Sequence, residues 1–206
     1  NMNNFFFFLI LSIFTFNLSA KSFVPDSFTA KFEQVFKSSI SGKIKKSKGI
    51  IEYKYPGNIR IEVKNSKGEI IFVSNSKKSW YYRSPFLPGS AGELKIKENG
   101  DMLVSSFLDA LRSGITTNEN YQVKTIGNKE ELKFKNTFSS KIGAKRANLF
   151  FEKKSRKTFD NLSAIDIIET NGKKITIKLL NIDKNTKLNK SRFTFTPPEN
   201  TNISAH

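Results

Sequence analysis

In the run Asn58 to Lys64 every second residue is apolar: Ile59, Ile61 and Val63 alternate with Arg60, Glu62 and Lys64. Successive side chains of a β-strand point to opposite faces, so this pattern buries one side of a strand and leaves the other in water. Short runs of similar character recur at 49–55, 69–74, 79–83, 121–127, 130–136, 147–153, 162–169, 174–180 and 191–196, separated by Gly, Asn, Ser or Pro. Two stretches read differently. From Asp26, the residues Phe28, Phe32, Val35 and Phe36 fall at i, i+4, i+7 and i+8, which predicts a helix with Asp26 and Ser27 as caps. A second helix is predicted over 101–113, capped by Asp101 and ended by Gly114, with Leu103, Val104, Phe107, Leu108 and Leu111 on one stripe. About eleven strands and two helices, with no repeat and no long linker, predict one mainly β domain. Its sheet would be antiparallel, strongly bent and closed or nearly closed, with the helices laid on its apolar face.

The first twenty residues stand apart. Phe5 to Leu11, continuing through Ile13, Phe14 and Phe16 to Leu18-Ser19-Ala20, form a short apolar core before a small-residue terminus. That layout predicts an export signal over 1–20, cleaved after Ala20, with the mature domain over 21–206. The competing reading is a retained N-terminal anchor, for which the apolar run is short against the ~20 residues needed to span a bilayer. The chain has no cysteine. An exported fold of this kind must then rest on packing and hydrogen bonds, and it has no thiol at the cleavage site to carry a lipid anchor.

The formal net charge is +17, all of it beyond residue 20. An anionic partner is implied, and only six of the 35 basic residues are arginine. Nucleic acid is disfavoured because the chain has no zinc-finger spacing, no aromatic RNA-binding strand motif and no Arg-rich run. Lysines solvating the outer faces of strands account for most of the charge, and attraction to anionic phospholipid head groups for the rest. The single histidine is His206, which removes Ser-His-Asp and Cys-His catalysis and histidine-based metal sites. There is no phosphate-binding loop and no nucleophile elbow. The sequence predicts a protein that is not an enzyme and that has neither metal nor cofactor.

Several blocks add what periodicity does not. Arg192-Phe193-Thr194-Phe195-Thr196-Pro197-Pro198-Glu199 resembles the closing strand of the LolA family, the periplasmic carriers of bacterial outer-membrane lipoproteins. Phe28-Thr29-Ala30-Lys31-Phe32-Glu33-Gln34 is similar to the family's Phe-x-Ala-x-Phe-x-Gln. Gly49 followed by Tyr55-Pro56, Val73-Ser74, Trp80-Tyr81-Tyr82 and Ser84-Pro85-Phe86 resemble further family segments in the same order. The resemblance spans most of residues 26–200. It implies an incomplete, half-open β-barrel covered by short α-helices, whose cavity takes acylated lipoproteins from an inner-membrane lipoprotein-releasing ABC transporter and passes them to an outer-membrane receptor.

On that resemblance the lipid-binding residues are Phe28, Phe32, Phe36, Ile51, Tyr53, Ile59, Ile61, Val63, Trp80, Phe107 and Leu111, in a monomer. One position departs from the family. The Arg that precedes Pro and holds the lid closed is Tyr55 here, and a phenol offers one donor where a guanidinium offers five. Arg60 and Lys54 are the candidates to compensate. Two other functions stay open: an envelope adaptor or sensor of the same half-barrel type, and a carrier of another lipid. The sequence does not decide whether Ile70 and Phe72 or Ile71 and Val73 point inward.

Overall fold

The computed structural model describes residues 22–37, 42–65, 68–98, 100, 103–153 and 155–205. The apolar segment 1–20, the Asp101 cap and His206 lie outside the described residues. Twelve strands form one sheet: β1 (Ser27–Lys37), β2 (Ile44–Lys54), β3 (Asn58–Asn65), β4 (Gly68–Ser74), β5 (Lys78–Arg83), β6 (Gly92–Glu98), β7 (Tyr121–Ile126), β8 (Lys129–Phe134), β9 (Ala144–Phe151), β10 (Leu162–Glu169), β11 (Lys174–Asp183) and β12 (Thr201–Ala205). Their order across the sheet is β12-β6-β5-β4-β3-β2-β1-β11-β10-β9-β8-β7. All neighbours are antiparallel except β12, which runs parallel to β6. The sheet does not close, leaving β12 and β7 as its edges. Two helices accompany it, α1 (Leu103–Leu111) and α2 (Asn136–Ile142), so the fold is the predicted half-open barrel with a helical lid.

The segment predicted as the first helix is instead β1. Phe28, Phe32 and Phe36 are four residues apart, and a spacing of four keeps side chains on one face of a strand as well as on one side of a helix. The sheet decides between them. Phe28 lies opposite Tyr53 and Phe32 opposite Gly49, while on the other flank Phe32 meets Leu179 and Phe36 meets Ile175. Val35, on the predicted helical stripe, falls on the opposite face of the strand.

Three other expectations are corrected. The alternation of Leu94 and Ile96 with Lys95 and Lys97 builds β6, a strand missing from the predicted set. The stretch 130–136 ends as a strand at Phe134, and α2 follows, seven residues with only Phe138 and Ile142 buried. The run 191–196 is not a strand: residues Lys190–Phe193 make a 3-10 turn and the chain continues extended to Pro198. This C-terminal segment lies across the convex face. Arg192 reaches Glu52 with two 3.0 Å hydrogen bonds, and Asn75 donates to the Phe193 carbonyl.

The sheet carries an apolar cluster on each side. Its concave face carries the main core, in which Phe28, Tyr53, Ile59, Phe107, Leu111, Tyr121, Leu132 and Leu149 are fully or almost fully buried. On the convex face Ile71, Val73, Tyr82 and Leu94 form a second cluster with Trp80, Ile96 and Phe195. Ile70 packs into the main core and Phe72 pairs with Ile61, so these two point inward. Ile71 and Val73 point outward and are buried all the same, because the C-terminal segment covers them. Gly49 marks the tightest point of the concave face: a Cβ there would lie 2.2 Å from the Glu62 carbonyl oxygen and 2.8 Å from the Phe32 ring. A backbone carbonyl cannot move aside cheaply, so Gly49→Ala should cost about 2 to 3 kcal/mol in chemical denaturation.

Candidate functional site

The concave face and the lid over it form the candidate site. Phe28, Phe32, Ile51, Tyr53, Ile59, Val63, Phe107 and Leu111 are brought together as buried members of one cluster. Ile61 and Phe36 share the face but are half-buried. Trp80 is not among them. It pairs with Val73 and Ile96 on the convex side and packs in the outer cluster. Period-two alternation put it with a sheet face but not with the inner one.

Burial is graded along the strands. At one end Phe28, Tyr53 and Ile59 are inaccessible, and Phe28 stacks on Tyr53 and Phe159 at 5.5 and 4.9 Å. Toward the other end, Phe36, Ile61, Ile70, Ile175 and Ile177 stay partly open to solvent. The apolar face therefore has a dry floor and a mouth. The lid helices complete the floor, with Phe107 of α1 and Phe138 of α2 both against Phe134 of β8.

Two polar clamps fix α1 to the corner between β2 and β3. Asp109 accepts a hydrogen bond from the Tyr53 hydroxyl at 2.5 Å and another from the Gly57 amide at 3.2 Å. Gly57 turns the corner at φ +67°, a conformation that favours glycine. One residue past the helix, the Arg112 guanidinium lies 4.0 Å above the Tyr55 ring. It also donates to the Val24 carbonyl and the Ser22 hydroxyl and pairs with Asp26 at 2.8 Å.

Neither residue named from sequence as a substitute for the family's arginine takes this role. Arg60 bonds Glu62 on the convex face at 2.5 Å, and Lys54 donates to the Leu188 carbonyl. The arginine instead comes from the lid and the aromatic from the barrel. Sequence reasoning missed Arg112 because it sought the cation on the strand beside Tyr55, whereas the partner is 57 residues downstream. A guanidinium stacked on a ring contributes about 0.5 to 2 kcal/mol, and a hydrogen bond to a carboxylate about 1.5 to 3 kcal/mol.

The Tyr53 hydroxyl is held in its neutral form. Burial is the largest cause, reinforced by its hydrogen bond to Asp109 and by that carboxylate's charge, and together they push its pKa well above the ordinary phenol value. Tyr121, also buried, is shifted the same way; its hydroxyl lies 2.7 Å from the Gly114 carbonyl, just past the end of α1.

β8 places a buried acid on the concave side. Glu130, 3 % exposed, accepts from the Thr125 hydroxyl and pairs with Lys157. A cleft of about 1060 Å³ opens beside it, lined by Ser22, Asp26, Arg112, Lys157, Asp160 and Lys184 among others. Three of its four cations, Arg112, Lys157 and Lys184, pair with Asp26, Glu130 and Asp160; the fourth is Arg156. The cleft mixes these charged groups with Phe23, Ile115 and Phe159 and lies at the opposite end of the sheet from the apolar mouth. No cluster of three or more metal-ligating side chains occurs among the described residues.

Residues 25–196 match the family "Outer membrane lipoprotein carrier protein LolA". A protein named outer-membrane lipoprotein carrier protein, from Idiomarina loihiensis, is 26% identical over 178 residues, covering 86% of this chain and 80% of that one. Among solved structures, a conserved uncharacterised protein from Thermus thermophilus aligns with a TM-score of 0.47 at 12% identity, covering 89% of this chain and 93% of its own. A LolA superfamily protein from Nitrosomonas europaea aligns at 0.46 and 11%, covering 85% and 93%.

The raised Tyr53 pKa sets a pH dependence. In the unfolded chain the phenol ionises near its ordinary value of ~10; in the fold it resists. The stability it contributes is therefore complete below about pH 10 and is lost as the pH rises above it. Alkaline titration followed by phenolate absorbance should show Tyr53 and Tyr121 ionising only as the protein unfolds. Replacing Arg112 with Ala should lower stability by about 1 to 2 kcal/mol and should speed hydrogen exchange in α1 more than in β9 and β10.

Proposed function

Because the chain belongs to the LolA family of outer-membrane lipoprotein carriers, we propose that it acts in the periplasm, holding the acyl chains of a lipoprotein against its concave face. It would receive them from an inner-membrane ABC transporter and pass them to an outer-membrane receptor. The observation that supports this reading is the mouth: half-buried Phe36, Ile61, Ile70, Ile175 and Ile177 continue directly into the dry floor around Phe28 and Tyr53.

The physical need is large. At ~0.8 kcal/mol per buried methylene, one 16-carbon chain costs on the order of 12 kcal/mol to leave in water. A carrier must enclose most of it. In the described conformation the floor is filled by its own aromatic side chains, so loading means parting α1 from β2 and β3. The bonds to cross are those of Asp109 with Tyr53 and Gly57 and of Arg112 with Tyr55 and the 22–26 segment. Cargo would take the place of Phe107 and its neighbours against Phe134 and Tyr53, exchanging one apolar contact for another. The lid can then open at a cost that acyl burial offsets, and release requires a competing apolar site.

Native mass spectrometry of the protein mixed with a triacylated lipoprotein tests the reading. A one-to-one complex is expected, displaced by competing lipid. Phe36→Glu places a charge at the mouth, on a half-exposed side chain, and should lower cargo binding at least about tenfold while the melting temperature changes by only a few degrees, since burying an unpaired charge against an acyl chain is costly. Phe36→Leu should retain binding. Undiminished binding in the Glu variant, or no complex with the folded wild-type chain, would sink the proposal.

A further inference from the structure

At one end of the sheet β1 and β3 finish, β2 and β4 begin, and the turns from β5 to β6 and β10 to β11 lie together with α2 between β8 and β9. The register fixes this: Lys37 pairs with Ile44, Lys48 with Lys64, Ile70 with Arg83, Phe36 with Ile175 and Glu169 with Ala144. The mouth of the concave face is at the same end.

Two properties coincide there. Of the large apolar side chains described, the three most exposed are Ile44 (71%), Phe86 (70%) and Leu87 (61%), all at this end. Exposed cations lie at the same end, among them Lys45, Lys46, Lys141, Lys145, Lys173 and Lys64, the last paired with Glu69; Glu93 and Glu169 are further acids there. At the opposite end the cations Arg112, Lys157 and Lys184 pair with Asp26, Glu130 and Asp160.

The Phe86-Leu87 tip is built rather than loose. Pro85 and Pro88 flank it, the Leu87 amide donates to the Ser90 hydroxyl, the Ser90 amide donates to the Leu87 carbonyl, and Asn200 donates to the Ser90 carbonyl. At its base the Ser84 amide donates to the Glu69 carbonyl. Holding two bare apolar side chains in water on a braced turn gains nothing within the chain. It gains where an apolar phase lies next to negative charge.

We infer that this end docks on an anionic phospholipid surface, with Ile44, Phe86 and Leu87 entering the acyl boundary and the surrounding lysines lying among the head groups. Both halves of the patch are matched by that partner: each lysine near such a surface adds roughly fivefold to partitioning, and apolar tips add their burial. A nucleic acid would use the lysines and leave Ile44 and Leu87 in water. The docking stands independently of the carrier reading, because it needs no occupant of the concave face. It would, however, bring the mouth to the membrane.

The absence of cysteine gives a direct test. Leu87→Cys and Lys77→Cys each create one labelling site in the full chain, the second on the exposed β4–β5 turn at the opposite end. Each is labelled with an environment-sensitive dye and mixed with phosphatidylcholine vesicles with or without phosphatidylglycerol. A blue shift is expected at position 87 only, on the anionic vesicles only, and reversed by ~1 M salt, where the screening length falls to ~3 Å. Lys45→Gln and Lys46→Gln together should weaken that partitioning at least about tenfold. Comparing two positions in the same chain separates docking at this end from any membrane binding by the N-terminal apolar segment. No shift at 87, or equal shifts at 87 and 77, would overturn the inference. So would a shift that grows with protein concentration without vesicles, which would point to a second copy of the chain.

Discussion

Everything in this fold hangs on β1. The strands β2 to β6 run as one meander and β7 to β11 as another, and β1 is the strand that joins them, pairing with β2 along eleven positions on one flank and with β11 on the other. Its inward side chains Phe28, Ala30 and Phe32 touch both halves of the core, so the concave face is continuous only because this strand is in place. Backbone ladders on both flanks pair β1 over most of its length, which is why it can sit in the middle of the sheet with its inner face in the core.

The same strand shows how far sequence could carry the reading. A spacing of four satisfies both periods, and local pattern alone selected the helix; only pairing with two distant strands made it β. By contrast β3 was legible because its alternation was charged on one side and aliphatic on the other. Trp80 was misplaced for a different reason. Alternation assigns side chains to faces but does not say that both faces will be covered, and here Phe195 packs 5.1 Å from Tyr82 on the outside of the sheet. Most of the inner-face set was recoverable from period and family likeness. Arg112 was not, because it meets Tyr55 only through the placement of α1 over the β2–β3 corner.

Charge is arranged with some economy. The acids gather where structure must be fixed: Asp109 at the lid clamp, Glu52 and Glu62 under Arg192, Asp166 beside Lys174 and Thr176. Such pairs are partly withdrawn from water, where their geometry counts for more than surface ion pairs do. Exposed lysines without this structural duty occur at both ends of the sheet, Lys45 and Lys46 at one and Lys77 and Lys97 at the other. The net charge of +17 is thus spread over the molecule, while its acids are used where they fix structure.

The bridging role of β1 also fixes an order of events in the making of the protein. β1 emerges early, yet its partner β11 ends at Asp183, so during synthesis the N-terminal meander can form while one flank of β1 stays open. Contacts separated by so much chain close slowly, since loop-closure entropy is lost before they return anything. Until residue 183 is available, the chain presents an unpaired edge with Phe28 and Phe32 beside it, the kind of surface that other strands adhere to. A truncated or prematurely halted product would therefore be a sticky half-sheet rather than a smaller working domain, and the chain gains from being kept unfolded until it is whole.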